Sequence, residues 1–222
     1  MRTLYHLWLS APSRQVRIAL AEKGLEFELK VERVWDRRQD FLALNPAGTV
    51  PVLVEDEGVV VVGRYAIAEY LEEMHPTRSL LGKAPLDRAE VRRLLAWFDD
   101  KFSHEVTDNL VEEKVMKRFM GMGQPNSAAI RAGYANVHYH LEYVGYLAER
   151  RKYLAGDHFS LADIAAAAHL SCLDYIGDVP WEEHPRAKDW YVRIKSRPSF
   201  RPLLQDHIPG APPPKHYADL DF

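Results

Sequence analysis

The chain has 222 residues, of which 47% are hydrophobic and 27% charged, and its formal net charge is −3. This length is enough for one large or two small domains. The slightly acidic balance argues against a general affinity for nucleic acid or acidic membranes, and no apolar run approaches the roughly 18 residues of a membrane span. His6, Ser10 and Pro12 interrupt the apolar start of the chain, so we do not interpret it as a signal peptide.

The single cysteine, Cys172, excludes an internal disulfide and is typical of a protein in a reducing cytoplasm. It lies in the apolar segment AAAAHLSCLDY, which favours a small buried side chain over a reactive thiol. We therefore expect a cytoplasmic protein.

The first third of the chain alternates short strands and helices. RTLYHLWL predicts a first strand, and SAPSRQVRIALAEKG predicts a helix that stops at Gly24. Residues 25–34 alternate as a second strand, residues 35–48 are mixed and loop-like, and TVPVLVED is a third strand. Gly58 then turns the chain into VVVVGRYAIAEYL, a strand that leads directly into an amphipathic helix. This order predicts a small mixed sheet with helices on its faces.

The pair Val50-Pro51 opens the third strand, where a proline cannot donate a ladder hydrogen bond. A cis bond there would turn the backbone of Val50 toward a ligand. Because most X-Pro bonds in folded proteins are trans, the residues alone leave both isomers open.

A domain boundary follows the helix of the first third. The segment MHPTRSLLGKAPLDRAE carries two prolines and a glycine, and the chain after it has helical periodicity. We predict a first domain over residues 1–78, a linker over 79–85, an all-helical domain over 86–204 and a C-terminal extension over 205–222.

Two helix starts stand out in the helical part. Asn126 or Ser127 can cap one helix after a glycine- and proline-rich break. Ser160 is an N-cap candidate for the helix after GDHF, and Asp163, three residues on, can return a hydrogen bond as the acid of a capping box.

Five motifs in their order and spacing resemble the cytosolic glutathione S-transferases over residues 1–204; they are LYHLWLSAPSRQVRIALAEKGL, NPAGTVPVL, AIAEYLEE, GDHFSLADI and RPSFRPLL. The resemblance implies a thioredoxin-like N-terminal domain, an all-helical C-terminal domain and a homodimer. It also implies that Pro51 is cis and that Asp163 stabilises the fold.

The resemblance places the thiol-activating residue of this family just after the first strand, at Ser10, with Ser13 as a neighbour that could substitute. A hydroxyl there would donate a hydrogen bond to the glutathione thiolate and lower the thiol pKa. The same serines flank Pro12 before a helix, where serines commonly act as caps, so both roles stay open. Tyr5 lies inside the strand, and we expect it to pack there.

The rest of the glutathione site departs from the family. The resemblance implies an acid and a hydroxyl that hold the γ-glutamyl group at the start of the AIAEYL helix, and these positions are Gly63 and Arg64 here. Glycine offers no acceptor for an ammonium group, and arginine adds a cation where one is to be bound. We expect glutathione binding to be lost and the site at Ser10, Val50, Pro51, Gly63 and Arg64 to be vestigial, although Arg64 could instead clamp a ligand carboxylate.

Two other segments suggest contacts with a protein partner. Trp35, Arg37 and Arg38 place an aromatic ring beside guanidinium groups, a combination enriched at binding hot spots, although Trp35 could also pack on the sheet. The end of the chain follows a stiff proline run and keeps aromatic and charged groups, so it could dock on its own domain or bind a partner. The candidate contact residues there are Lys215, His216, Tyr217, Asp219, Asp221 and Phe222.

With these departures, the chain further resembles the cell-division members of the family that bind the tubulin-like protein FtsZ. That resemblance implies a non-catalytic homodimer that works at the division site, binds FtsZ polymers, and alters filament bundling and curvature. It implies no cofactor. The alternative is an active transferase with a remodelled glutamyl site, for which glutathione would be the cofactor. His138 and His140 are two residues apart and would point to different faces of a helix, so we expect no metal site.

Overall fold

The computed structural model describes residues 1–220 and divides the chain into two compact units, with the boundary between Leu80 and Leu81. That boundary lies inside the predicted linker. Two predicted contact residues, Asp221 and Phe222, lie outside the described residues. Each unit has its own sheet or helical core and is described by itself.

The first unit is built on a four-stranded mixed sheet in the order β2-β1-β3-β4. β1 and β2 are parallel, and β3 is antiparallel to both β1 and β4. Leu4 of β1 faces Leu53 of β3, and both side chains are fully buried in the core. The elements in chain order are β1 Arg2–His6, α1 Ala11–Glu22, β2 Phe27–Val31, α2 Gln39–Leu44, β3 Val52–Val54, β4 Val60–Val62 and α3 Arg64–Met74. The predicted thioredoxin-like class is confirmed.

Two details of the first unit differ from the sequence prediction. β2 is shorter than residues 25–34 and lies at the sheet edge, with four of its five residues exposed. Residues 35–48, predicted as loop-like, contain the end of a 3₁₀ turn over Val34–Asp36 and then the helix α2. Only Phe41 of α2 is buried. A six-residue helix with one apolar anchor shows too little periodicity to be recognised in a sequence.

The second unit is helical, as predicted. Its elements are α4 Pro85–Ala96, a π-helical segment Trp97–Met116, α5 Lys117–Met120, α6 Ser127–Arg150, α7 Leu161–Ile176 and α8 Pro185–Lys195, with 3₁₀ turns at Trp181–Glu183, Arg201–Gln205 and Lys215–Ala218. The first three elements follow one another directly, so the predicted helix from residue 86 to about 120 is correct in extent. The wider π-helical hydrogen bonding of its middle part was not predicted.

α7 forms the centre of the helical unit and packs against the π-helical segment, α4 and α8. Every residue from Leu161 to Tyr175 is buried, including Cys172. α6 approaches the π-helical segment closely at Gly133, where a Cβ atom would lie 2.7 Å from Cγ of Leu110. A larger side chain at that position would push the two helices apart.

The predicted caps of α6 and α7 are both present. The Asn126 side chain accepts hydrogen bonds from the backbone of Ala128 and Ala129 at 2.9 and 3.2 Å. Ser160 and Asp163 form a capping box at the start of α7. Over residues 1–220, the structure contains no helix that is both long and apolar enough to span a bilayer.

Candidate functional site

The junction between β4 and α3 brings together several residues of the predicted glutathione site. The Val50–Pro51 bond is cis, which confirms that expectation. The backbone N–H of Gly63 donates to the carbonyl oxygen of Pro51 at 3.0 Å, so the two segments are neighbours.

Gly63 has φ of 84° and ψ of 147°, a region of backbone conformation that is open almost only to glycine. Among residues 1–220, nothing lies within 4 Å of the point where a Cβ would stand. Conformation, and not lack of space, therefore explains the glycine. No side chain of the described residues caps the start of α3.

Arg64 is the first residue of α3, where the helix dipole is positive and a cation is unfavourable. Its guanidinium lies 4.3 Å from the centre of the Tyr65 ring, and Nη2 donates to the Tyr65 hydroxyl at 3.1 Å. The cation is thus held along the surface of its own helix. The junction offers a ligand a positive charge and backbone N–H groups, but neither Gly63 nor Arg64 supplies an acceptor for an ammonium group.

Ser10 acts as the N-cap of α1. Its Oγ accepts a hydrogen bond from the backbone N–H of Ser13 at 3.2 Å and another from the Ser13 hydroxyl at 3.0 Å. The capping role left open by the sequence is therefore present. Because both bonds are accepted by Ser10, its own hydroxyl proton can still be donated to another group. Tyr5 packs against Phe41, with ring centroids 5.6 Å apart.

The segment with Trp35, Arg37 and Arg38 lies at the surface of the first unit, with Trp35 half-buried in the 3₁₀ turn and Arg37 exposed. Arg38 contacts Glu32, whose side chain is only 1% exposed, at 3.0 Å. Hydrogen bonding to Glu32 raises the pKa of Arg38 above its ordinary value. Arg38 therefore neutralises a buried carboxylate, whereas the Arg37 side chain has no such role among the described ion pairs.

The described part of the C-terminal extension docks on the helical unit. Tyr217 is fully buried, its ring meets the edge of Tyr175 at 5.0 Å, and its hydroxyl donates to the carbonyl oxygen of Leu203 at 3.0 Å. This finding corrects the prediction of Tyr217 as a direct partner contact, because its large aromatic side chain gains more by burial in its own domain. Lys215 and Asp219 remain exposed, and His216 is half-buried.

A buried ion pair lies under the docked extension. Lys195 Nζ is 3.4 Å from Asp174 Oδ2, and neither side chain is exposed. Lys195 also donates to the backbone carbonyl of His216 at 3.2 Å, and His216 Nε2 lies 3.3 Å from Asp174 Oδ1. Burial lowers the pKa of Lys195, and the charge of Asp174 opposes that effect. The extension therefore covers charged groups that would otherwise lack two of their partners.

Sequence reasoning missed Asp174 and Lys195. Asp174 also accepts hydrogen bonds from Nε1 of Trp181 at 2.9 Å and from the Tyr191 hydroxyl at 3.3 Å. The available signal was an acid inside the apolar run AAAAHLSCLDY, since a buried carboxylate needs partners elsewhere in the fold.

Sequence reasoning also missed an aromatic face on the helical unit, formed by Trp97 of the π-helical segment with Tyr139, Tyr143 and Tyr146 of α6. Trp97 lies 4.5 Å from Tyr143 and 6.2 Å from Tyr139 between ring centroids. Tyr139 and Tyr146 are 55% and 51% exposed. The three tyrosines follow each other at steps of four and three residues, which is the signal that could have identified this face.

The metal prediction concerned His138 and His140. His138 Nδ1 lies 2.9 Å from Nε2 of His184, while His140 is buried on another side of α6. Within residues 1–220, no three His, Cys, Asp or Glu side chains come together as metal ligands would.

Comparison with known proteins places these features in a family. The models of the N-terminal and C-terminal domains of glutathione S-transferase match residues 9–74 and 135–198. The chain belongs to the glutathione S-transferase family. The first matched segment contains Gly63 and Arg64 of the predicted glutamyl site, and the second contains Asp163 of the predicted capping box.

Within the glutathione S-transferase family, the chain is similar over its whole length to FtsZ-localized protein A of Caulobacter vibrioides, with 50% identity over 100% of this chain and 98% of that protein. The solved structure of FzlA from C. crescentus gives a TM-score of 0.96 at 50% identity, covering 100% of this chain and 99% of the other. A glutathione S-transferase structure from Rhodospirillum rubrum gives 0.98 at 58% identity and full coverage of both chains. The predicted resemblance to both the family and its FtsZ-linked member is confirmed.

Proposed function

We propose that this protein is a non-catalytic glutathione-transferase-like protein of cell division. It binds FtsZ polymers as a homodimer and modulates their bundling and curvature at the division site in the cytoplasm. The observation that carries the proposal is the 50% identity with FtsZ-localized protein A over the entire chain. A dimer would present each contact surface twice, as cross-linking of filaments requires.

The first test concerns glutathione. The Gly63–Arg64 junction supports a loss of glutathione binding, because neither residue offers a side-chain acceptor for a hydrogen bond from the ligand ammonium group. Burying that group without an acceptor costs roughly 1–3 kcal/mol of binding free energy. Calorimetry with millimolar glutathione is expected to show no binding. Retention of the protein on immobilised glutathione would contradict the proposal.

The second test concerns FtsZ polymers. We expect the protein to co-sediment with FtsZ assembled in GTP. The exposed residue Lys215 is the suitable probe of the extension, and Lys215→Glu is expected to reduce co-sedimentation. Asp219 is left unchanged, because its negative charge favours the protonated form of the buried Lys195. Lys83→Glu, another exposed site in the same unit, is the matched control. Unchanged co-sedimentation of Lys215→Glu would show that Lys215 is not a contact.

Deletion of residues 215–222 is a poor probe of the same contact. It removes the buried Tyr217 and uncovers Lys195, so lost binding would also follow from a damaged domain. Point substitutions at exposed positions avoid this ambiguity, and thermal unfolding of each variant checks that the domain is intact.

The surface at Trp35 and Arg37 is tested in the same assay. Trp35→Ala and Arg37→Glu are expected to weaken co-sedimentation. Arg38→Glu is excluded as a probe, because it would leave the buried Glu32 beside a second negative charge. Unchanged binding by the double variant Trp35→Ala/Arg37→Glu would show that this segment is not a contact.

The aromatic face supports the homodimer. Exposed tyrosine and tryptophan rings with stacked guanidinium groups are enriched in interfaces, and Arg150 lies 3.7 Å from the centre of the Tyr146 ring. Tyr139→Glu is expected to give a monomer in light scattering, whereas Met122→Glu, at a 60% exposed apolar residue elsewhere, should leave the dimer intact. A wild-type monomer at micromolar concentration would contradict the proposal.

The second candidate is an active glutathione transferase with a remodelled glutamyl site. It is favoured by Ser10, whose hydroxyl proton remains available for a thiolate, and by the 58% identity with the R. rubrum glutathione S-transferase structure. This candidate predicts conjugation activity that Ser10→Ala abolishes, and stronger glutathione binding by Gly63→Glu/Arg64→Ser. Because glutamate at position 63 would adopt a strained backbone, Arg64→Ser is measured alone as well. Absence of binding by wild type and variants excludes this candidate.

A further inference from the structure

Trp97 is fixed in the aromatic face by a buried histidine. Its indole Nε1 donates to Nδ1 of His140 at 3.1 Å, and the other ring nitrogen of His140, Nε2, lies 3.0 Å from Glu105 Oε2. His140 is fully buried, and its two ring nitrogens are both engaged.

These two partners determine the protonation of His140. An indole N–H can only donate, so Nδ1 must carry a lone pair. A carboxylate can only accept, so Nε2 must carry the proton. Glu105 is a carboxylate, because hydrogen bonding to Lys101, and then to His140, lowers its pKa. His140 is therefore neutral and in the Nε2–H tautomer whenever Trp97 is bound to it.

A second proton on His140 is incompatible with this arrangement. Protonation at Nδ1 would point an N–H at the indole N–H, so the Trp97 hydrogen bond must break. The imidazolium would still donate to Glu105. The charged groups around His140 act in both directions, since Glu105 favours the imidazolium while Lys101 of the π-helical segment and His169 of α7 disfavour it. The ring of Tyr139 meets His140 edge-on, with ring centroids 5.6 Å apart.

We propose that His140 is an acid-operated latch on Trp97 that controls the strength of the aromatic face. With neutral His140, Trp97 is held against Tyr143 and Tyr139. With protonated His140, the indole is released and the stacked face loses its central ring. Burial lowers the pKa of His140 below its ordinary value, so the latch is closed at neutral pH and opens only under acid conditions.

The consequence for assembly rests on the proposed homodimer. If each protomer must take up one proton to release Trp97, the dimer dissociation constant rises by up to about a hundredfold for each pH unit below the pKa. The local latch itself does not depend on the oligomeric state. The two claims therefore need separate measurements.

The local claim is tested by nitrogen-15 NMR of the full chain, in which the indole signal of Trp97 is assigned by its loss in Trp97→Phe. The ring nitrogens of His140 are expected to show the Nε2–H tautomer near neutral pH. As the pH falls from neutral into the acid range, the indole signal should shift with the same midpoint as His140. In His140→Gln, whose side-chain oxygen can accept from Trp97 without titrating, that shift should disappear. An Nδ1–H tautomer of His140 near neutral pH would overturn the proposal. A Trp97 indole signal that does not change as His140 titrates would overturn it as well.

The assembly claim is tested by sedimentation at the same pH values. Wild type is expected to dissociate in acid, and His140→Gln to stay dimeric. A protein that is monomeric at neutral pH refutes the homodimer while the NMR result still decides the latch. A dimer that persists after Trp97 is released overturns the latch as a control of the aromatic face.

Discussion

The starts of α3 and α7 are two helix N-termini of opposite character. α7 begins at Ser160 with a capping box in which Asp163 accepts from the backbone of Leu154 and Ser160 and from Nε1 of Trp190, all at 3.0–3.1 Å. α3 begins at Gly63 and Arg64, with no side-chain cap among the described residues and no acid in its first turn. The first terminus is capped by side chains of the protein itself, and the second has no such cap among the described residues.

The two helix starts show that residues at such a position can serve either the stability of the fold or the binding of a ligand. A buried acid at α7 satisfies donors that water cannot reach, so its loss must damage the fold. At α3, Gly63 is constrained only by its backbone conformation, and the Arg64 side chain satisfies no buried backbone donor, so the side chain at position 64 can change while the scaffold persists. Substitutions at the two termini should therefore have very different costs.

Asp163→Ala is expected to have the largest effect. It leaves four buried donors without their acceptor, since the Ser160 hydroxyl also donates to Asp163 at 3.2 Å, so we expect the free energy of unfolding to fall by about 3–5 kcal/mol. Denaturant unfolding measures this loss. Asp157→Ala, at an exposed acid in the same loop, is the control and should change stability by less than about 0.5 kcal/mol. A cost for Asp163→Ala below that of an ordinary surface substitution would erase the contrast between the termini.

Gly63→Ala is expected to cost about 1–3 kcal/mol, because alanine must adopt a backbone conformation that favours glycine. The cost comes from the backbone and not from packing, since the site is open among the described residues. Thermal unfolding gives the change in stability. If Gly63→Ala unfolds like wild type, the conformation at this junction must differ from the one described.

Ser160→Ala should cost about 1 kcal/mol, the usual value for a lost N-cap. Ser127→Ala is the matched control, because Ser127 follows the actual cap of α6, Asn126, and should contribute far less. Equal effects of the two serine substitutions, measured by denaturant unfolding, would contradict the assignment of the caps.

Arg64→Ser is expected to have the smallest effect, a change of less than about 0.5 kcal/mol in the free energy of unfolding. Removal of a cation from the positive helix start is offset by the lost contact with the Tyr65 ring. A large destabilisation in the same unfolding assay would give Arg64 a structural role and weaken the interpretation of the junction as a former ligand site.

The sequence predicted most of the scaffold for local reasons. The capping box at Ser160 and Asp163, the N-cap at Asn126 and the helical extent from residue 86 to 120 follow from residue types at fixed spacings. The helix α2 was not predicted, because six residues are too few to show a clear helical periodicity. The cis bond at Pro51 was expected only through the family resemblance, since the residues themselves left both isomers open.

The candidate contact surfaces were less predictable because they depend on distant partners. The sequence does not distinguish the roles of Arg37 and Arg38, which follow Trp35 in one short segment. Only the fold places the buried Glu32 beside Arg38. The sequence also left open whether the extension docks or is free. Burial of Tyr217 against Tyr175, more than forty residues earlier in the chain, is a property of the folded domain.

By itself, the sequence determined the family, the two-part architecture and the replacement of the glutamyl-binding pair by Gly63 and Arg64. These depend on motifs in which every participant lies close by in the chain. Only the tertiary structure decided that the backbone at position 63 selects glycine, that the extension covers the Lys195–Asp174 pair, and that His140 holds Trp97. In each case a torsion angle or a hydrogen-bond partner is set by packing between segments far apart in the chain, which no local pattern encodes.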